Sequence, residues 1–251
     1  MRPNTLTEIW RGGRAATNAW LSLGSAPAAE VVAHQGWDSV TIDMQHGYAD
    51  VTTVVAMLTA VSATNVVPLV RVPWNEPGTV MRVLDAGAYG VICPNVDTRA
   101  QCEQFVGACR YAPLGYRSVG PRRAVLYAGA DYVAKANETL LAIVQIESVT
   151  ALKNVDEIAS VPGLDMLYAG PSDLALSMGV APRADPTDAG VVAALDQILA
   201  AAKRAKLRAG IYCRTAEYAQ AMAAKGFDLV TVTSDEGMLA SGAAVAARFK
   251  G

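Results

Sequence analysis

The strongest constraint on this chain is a repeat of order. Eight short runs rich in apolar and β-branched residues alternate with longer, alanine-rich stretches of helical character. The runs are Thr17–Leu23, Ser39–Asp43, Val66–Arg71, Gly90–Pro94, Leu141–Glu147, Asp165–Ala169, Arg208–Cys213 and Leu229–Thr233. Between them the pattern predicts helices over Pro27–Gln35, Val51–Val61, Pro77–Ala86, Arg99–Ala108, Val149–Ser160, Ala189–Ala205, Ala216–Lys225 and Glu236–Phe249. Several runs are continuously apolar, as expected of strands covered on both faces. Pro27 and Pro77 suit a first helical turn, where the missing N–H costs little. Gly36, Gly87 and Gly226 follow helical stretches, where a left-handed residue is often needed. Eight strand–helix units in 251 residues predict an α/β fold, a closed (β/α)8 TIM barrel forming one domain over residues 1–251. An open doubly wound sheet is the competing fold, but the chain has no GxGxxG turn to support it. The one long stretch without a clear element, Arg110–Val133, reads as a functional loop.

Composition narrows the partners. A net charge of −2 gives no broad basic surface, which argues against nucleic acid. Cys93, Cys102, Cys109 and Cys213 form no CxxC pair and no short disulfide framework, which fits a reducing compartment. No apolar run reaches membrane-spanning length, and the opening Met-Arg-Pro-Asn-Thr lacks a signal-peptide core. The expectation is a soluble, cytoplasmic protein with no membrane partner.

In a barrel of this kind, chemistry sits at the C-terminal ends of the strands. Glu147 and Asp173 both lie where an apolar run stops and a helical stretch begins. A carboxylate there costs free energy unless something pairs it, and two together suggest an oxygen-liking divalent cation. A salt bridge to a neighbouring helix is the competing reading for Glu147. The second run ends in Thr-Ile-Asp-Met-Gln-His-Gly, delivering Asp43, Gln45 and His46 to the same face. His46 reads as a general base oriented by Asp43, whereas His34 reads as a helix-end residue. Arg71 ends the third run, as an oxyanion stabiliser or an ion-pair partner. Gly170, Pro171, Ser172 and Asp173 open a helix, with Ser172 expected as N-cap and the first N–H groups free to receive a small carboxylate. Gln45, Gln145 and Asp85 are weaker candidates to support these groups from behind. Trp20, with Arg122 and Arg123 from the long loop, is a candidate for the far side of a substrate. Lys135, Lys153, Lys203, Lys206, Lys225 and Lys250 all fall outside the strand ends, which disfavours Schiff-base chemistry. His46 also has no histidine partner at zinc-ligand spacing.

Taken in order, Ile-Asp-Met-Gln-His-Gly, Val-Arg-Val-Pro-Trp-Asn-Glu-Pro, Arg-Tyr-Ala-Pro-Leu-Gly-Tyr-Arg-Ser-Val-Gly, Val-Gln-Ile-Glu-Ser and Gly-Pro-Ser-Asp-Leu resemble a known family over essentially the whole chain. It is the metal-dependent (class II) pyruvate aldolases of the HpcH/HpaI, 4-hydroxy-2-oxoheptanedioate aldolase type. The resemblance implies reversible cleavage of 4-hydroxy-2-oxo acids through a metal-bound enolate. The products are an aldehyde and pyruvate, or a related 2-oxo acid such as hydroxypyruvate. It assigns Glu147 and Asp173 to the metal, Mg²⁺ or Mn²⁺ with Co²⁺ or Zn²⁺ able to substitute. His46 with Asp43 matches the base dyad, acting through a metal-bound water, and Arg71 matches the residue on the keto oxygen. The Ser172 and Asp173 amides match the carboxylate cradle. The resemblance further implies a homohexamer, a trimer of dimers that exchanges the last helix, Glu236–Phe249. Gln45 stands where some relatives have Glu, and Pro121 and Arg122 where some have Ser-Ala; both departures bear on the aldehyde. Competing readings are a 2-oxo acid (oxaloacetate) decarboxylase on the same site, an acyl-CoA lyase for which no nucleotide-recognising surface is evident, and a non-catalytic ligand-binding barrel.

Overall fold

A computed structural model describes residues 1–250. Eight strands, β1 (Ala16–Leu21), β2 (Ser39–Asp43), β3 (Val67–Arg71), β4 (Gly90–Cys93), β5 (Leu141–Ile146), β6 (Met166–Ala169), β7 (Arg208–Tyr212) and β8 (Leu229–Ser234), close into a barrel in chain order. Every ladder is parallel, and β8 returns to pair with β1. This is the (β/α)8 architecture that the alternation predicts. Every residue of β2 to β6 is buried, which is why those runs read as continuously apolar.

The helices in chain order are α1 (Thr5–Arg11), α2 (Ala26–Ala33), α3 (Val51–Val61), α4 (Pro77–Asp85), α5 (Arg99–Cys109), α6 (Arg122–Ala128), α7 (Tyr132–Thr139), α8 (Val149–Lys153), α9 (Val155–Ala159), α10 (Pro171–Ser177), α11 (Ala189–Arg204), α12 (Ala216–Lys225) and α13 (Asp235–Lys250). Local chemistry sets their starts. Ser25 and Thr98 cap α2 and α5 through their hydroxyls, and Glu76 caps α4 just ahead of Pro77. Gly36, Gly87 and Gly226 all adopt the left-handed conformation.

Three expectations are corrected here. Arg110–Val133 is not one irregular loop, because α6 and the start of α7 lie within it. The stretch Val149–Ser160 is two short helices divided at Asn154, whose backbone leaves the helical region. Ser172 does not cap its helix: Gly170 is the N-cap and Pro171 the first helical residue, so α10 begins two residues early.

Inward positions two residues apart carry the barrel interior. Below the C-terminal mouth lies a buried hydrogen-bonded group. Ser39 and Thr41 donate to Asn18 Oδ1 (both 3.0 Å), Asn18 Nδ2 donates to Thr231 Oγ1 (2.8 Å), and Tyr168 shares a 2.6 Å bond with the same Thr231 hydroxyl. Their mutual satisfaction makes a polar floor tolerable in an otherwise apolar core.

The mouth is braced at its seam by Asp235, 4% exposed. Its carboxylate accepts from the N–H groups of Ser22 (2.9 Å), Leu23 (3.0 Å) and Glu236 (2.9 Å), joining the β1–α2 turn to the start of α13. Asp235→Ala leaves these amides unpaired. The expected loss is about 2 kcal/mol of stability, measured by urea unfolding; a change within about 0.5 kcal/mol would show that water replaces the carboxylate without cost.

Candidate active site

The strand ends surround a cavity of about 240 Å³. Asp43, Arg71, Gln145, Asp173 and His46 line it, together with Trp20 from β1, Tyr168 from β6 and Tyr212 from β7. No lysine among the described residues lines it.

Register explains the first pair. β2 and β3 align Asp43 with Arg71. Arg71 donates from Nε to Asp43 Oδ1 (2.8 Å) and from Nη2 to Oδ2 (2.6 Å), a two-point bond between buried groups. Trp20 Nε1 donates to Oδ2 at 3.1 Å, and the Arg71 guanidinium lies over the Trp20 ring, 4.8 Å from its centre. Burial alone would push the Asp43 carboxyl up, but the Arg71 bond and charge, helped by Trp20 and the Gln45 amide, hold it below the usual carboxylate range. Asp43 therefore serves Arg71. What it offers His46 is a 3.5 Å contact with the backbone N–H, and no bond to the ring. The orientation of the His46 ring by Asp43 that the sequence suggested is not seen in this arrangement. The exposed His46 sits in a turn fixed by Gly47, where a Cβ would come within 2.3 Å of the Asp43 carbonyl oxygen.

The second pair has no cation. Glu147 is 3% exposed and follows β5. Its Oε1 accepts from the Asn95 N–H (2.8 Å) and its Oε2 from Gln145 Nε2 (2.5 Å). Burial first, and then the nearby Asp173 charge, raise its pKa to about 7 against the pull of the Asn95 amide. Arg71 cancels Asp43, so Glu147 and Asp173 leave negative charge uncompensated. Beside them the buried Gln145 Oε1 has no hydrogen-bond partner. Gly170 leaves room for this cluster: a Cβ there would lie 2.6 Å from Gln145 Nε2 and 2.7 Å from Glu147 Oε2. Two carboxylates with an orphaned amide oxygen form an oxygen donor set short of positive charge, which fits a hard divalent cation.

Asn95 was not legible as a site residue. It stands in the left-handed region (φ 52°), which aims its N–H at Glu147. An asparagine just after a strand, tolerant of that backbone, is the signal that sequence carries. Tyr168, Tyr212, Ser22, Ser234 and Glu236 also line the cavity without having been singled out.

Other expected residues lie elsewhere. Arg123 donates to the carbonyls of Leu58 (2.8 Å) and Ala86 (2.6 Å), at the C-terminal ends of α3 and α4. Helices run antiparallel to the strands, so this is the far end of the barrel. Arg122 begins the same helix and does not line the cavity. Asp85 ends α4 and pairs with Arg117 (2.7 Å), again away from the cavity. Gln45 gives Asp43 its backbone N–H (3.0 Å) and does not line the cavity either. Trp20 lines the cavity, but against Asp43 and Arg71.

A closed barrel with acid, base and guanidinium groups at its C-terminal mouth defines an enzyme acting on a small molecule. Residues 17–242 match the model of the HpcH/HpaI aldolase/citrate lyase family. The chain is 42% identical over 240 residues to a hydroxypyruvate/pyruvate aldolase of Rhizorhabdus wittichii, covering 96% of each chain. It is 34% identical over 250 residues to a 4-hydroxy-2-oxo-heptane-1,7-dioate aldolase of Shigella flexneri, covering 98% of this chain and 93% of that one. A crystal structure of an HpcH/HpaI aldolase/citrate lyase family protein from Burkholderia cenocepacia J2315 superposes with a TM-score of 0.90 at 35% identity, covering 98% of both chains. The chain belongs to the HpcH/HpaI aldolase/citrate lyase family.

The raised Glu147 pKa has a measurable consequence. Glu147 keeps its proton to about 7 in the folded chain, while an unfolded glutamate loses it near 4.5. Between those values the native state binds more protons, so metal-free stability falls as pH rises through the window, by on the order of 3 kcal/mol at the limit. Urea unfolding of chelator-treated protein at about pH 5 and about pH 8 should show this loss in wild type and not in Glu147→Gln. Equal pH dependence in both proteins would remove Glu147 as its source.

Proposed function

We propose that this chain is a metal-assisted aldolase. It reversibly cleaves 4-hydroxy-2-oxo acids to an aldehyde and pyruvate, or a related 2-oxo acid such as hydroxypyruvate. The observation that carries this reading is the uncompensated pair Glu147 and Asp173 beside the orphaned Gln145 oxygen: Asp173 and Gln145 line the cavity that also holds Arg71 and His46, and Glu147 is buried against Gln145 without lining it. Glu147 and Asp173 would hold the cation, Mg²⁺ or Mn²⁺ by the hardness of the oxygens, with Co²⁺ or Zn²⁺ able to replace them. When bound, the cation supplies Lewis acidity that draws electrons from the 2-oxo acid and makes C3 a tolerable carbanion centre.

The protein groups do the rest. The N–H groups of Ser172 and Asp173 lie in the first turn of α10, behind Gly170 and Pro171, where the helix itself supplies no acceptor; they receive the substrate carboxylate. Arg71, held in place by Asp43 and Trp20, faces the 2-keto oxygen and shares the negative charge that grows there, an effect worth about 3–4 kcal/mol for one preorganised donor. The His46 ring takes the proton from the C4 hydroxyl. That oxygen becomes the aldehyde carbonyl, the C3–C4 bond breaks, and its electron pair passes through C3 to the keto oxygen beside Arg71. The enolate becomes pyruvate by taking a proton at C3, which the protonated His46 ring supplies; in the reverse direction the ring draws a C3 proton and then protonates the new C4 oxygen. A base at this position favours aldol chemistry over simple decarboxylation, which needs no proton removed.

We further place the chain in a homo-oligomer, a hexamer built as a trimer of dimers by exchange of the last helix. In support, α13 leaves Leu239 (64%), Val245 (67%) and Phe249 (92%) exposed. A cytoplasmic location accords with four free, buried cysteines, and no helix among the described residues is long and apolar enough to cross a membrane.

Pyruvate release from a panel of 4-hydroxy-2-oxo acids tests the reading, using chelator-stripped protein with and without added Mg²⁺ or Mn²⁺. Restored pyruvate with an equal amount of aldehyde is expected. Glu147→Gln and Asp173→Asn should each lose at least about a hundredfold, and Arg71→Ala about 10²–10³-fold in kcat. Full activity of the stripped enzyme in excess chelator would refute the metal requirement.

A further inference from the structure

Trp20 joins the barrel interior to the Arg71–Asp43 pair at the mouth. Its N–H reaches Asp43 (3.1 Å), and the Arg71 guanidinium lies over its ring, 4.8 Å from the centre. Arg71 is therefore aimed no better than the Trp20 ring is held. Two features of the interior bear on that ring.

The first is an irregularity in the ladder between β1 and β8. Asn18 stands opposite Thr231, but the next residue, Ala19, stands opposite Thr233, so β8 carries one extra residue, Val232. A bulge of this kind bends the strand and re-aims the side chains beyond it, here that of Trp20, opposite Ser234. The last pair in register below the bulge is also joined through its side chains, because Asn18 Nδ2 donates to Thr231 Oγ1 (2.8 Å). The same amide is held from its other side, where Oδ1 accepts from Ser39 and Thr41.

The second is the wall beside Trp20. Tyr168 is fully buried, with its ring centre 6.1 Å from that of Trp20. It crosses β7 and shares a 2.6 Å bond with the Thr231 hydroxyl on β8. Gly210 makes the crossing possible: it is the β7 partner of Tyr168, and a Cβ there would come within 2.5 Å of the Tyr168 ring. One threonine hydroxyl thus holds both the strand that carries Trp20 and the ring packed against it.

Resting on the aldolase reading above, in which Arg71 faces the keto oxygen, we propose that Tyr168 and Thr231 are positioning residues for Arg71, acting through Trp20. Thr231 does not line the cavity and Tyr168 commits its hydroxyl to Thr231, so neither acts on the substrate directly. Their bond fixes where the Trp20 ring lies, and the ring fixes the plane of the guanidinium. Stabilisation by a preorganised donor depends on that geometry, and a misplacement of about 1 Å costs about a hundredfold. The charge on the keto oxygen grows only on the way to the enolate. Lost positioning therefore lowers kcat and leaves KM nearly unchanged.

The test uses the full-length, metal-supplied protein and pyruvate alone. Exchange of the pyruvate methyl protons with deuterated solvent reports enolate formation without an aldehyde. Tyr168→Phe and Thr231→Val should each lower kcat for exchange by about 10–100-fold, with KM changed less than about threefold. Thr231→Ser keeps the hydroxyl and should retain most of the wild-type rate. Where Thr231→Val does not fold, Tyr168→Phe, which removes a single oxygen, decides. Coupling to Arg71 is the sharper readout. Arg71→Lys keeps a charge for Asp43 but has no planar guanidinium to orient, so adding Tyr168→Phe to it should change kcat less than about twofold. A purely structural role would instead multiply the two losses. Unchanged kcat in Tyr168→Phe, a loss confined to KM, or equal losses in the two backgrounds overturns this inference alone. No exchange by wild type overturns the aldolase reading and this inference with it.

Discussion

A carboxylate withdrawn from water without a cationic partner holds its proton or finds a cation, and this choice governs the mouth of the barrel. Glu147 has two N–H donors but no positive group of its own, because the nearest guanidinium is committed to Asp43. Removing hydrogen-bond donors would worsen its position; only a positive charge or a proton resolves it. The features around it follow from that requirement. Gly170 has no side chain because one would strike Gln145 and Glu147, and Asn95 accepts a left-handed backbone to deliver its N–H. Asp173 adds a second negative charge that makes ionising Glu147 costlier still.

Asp43 and Arg71 form the complementary half. Their charges cancel, so the pair leaves the charge on Glu147 and Asp173 unbalanced but fixes a guanidinium in a dry wall. Removing either partner would strand the other, a change that typically costs about 3–5 kcal/mol in a buried pair. Trp20 contributes twice, through its N–H to Asp43 and its ring beneath Arg71. The result is a donor whose orientation is set before substrate arrives, the condition under which electrostatic stabilisation is most effective.

Much of this was legible in the sequence, for identifiable reasons. Burial on both faces writes a strand as an apolar run, so all eight strands could be located, and α3 and α12 match their expected bounds. Glu147, Asp173 and Arg71 stood out because charge at the end of such a run has no packing explanation. Relations across the sheet were not legible. Adjacency in sequence pointed Asp43 at His46, whereas the β2–β3 register turns it to Arg71. Nor does a loop's sequence reveal which end of a barrel it occupies. Arg122 and Arg123 looked like groups awaiting a substrate, yet α6 folds beneath α3 and α4, where Arg123 caps carbonyls. The short helices α1 and α6 have seven residues each, too few for a helical period to stand out. Glu236 went unnoticed because an acidic residue in a first helical turn already has an ordinary explanation.

The account rests on a cation held by Glu147 and Asp173, and the most direct measurement is of the ion itself. Mn²⁺ titrated into chelator-stripped protein can be followed by the electron paramagnetic resonance signal of the free ion. One site per chain is predicted, weakened about a hundredfold or more in Glu147→Gln and in Asp173→Asn, with proton release on binding near pH 7 where Glu147 is still partly protonated. Binding of equal strength in wild type and both variants, or no binding to wild type, would contradict it.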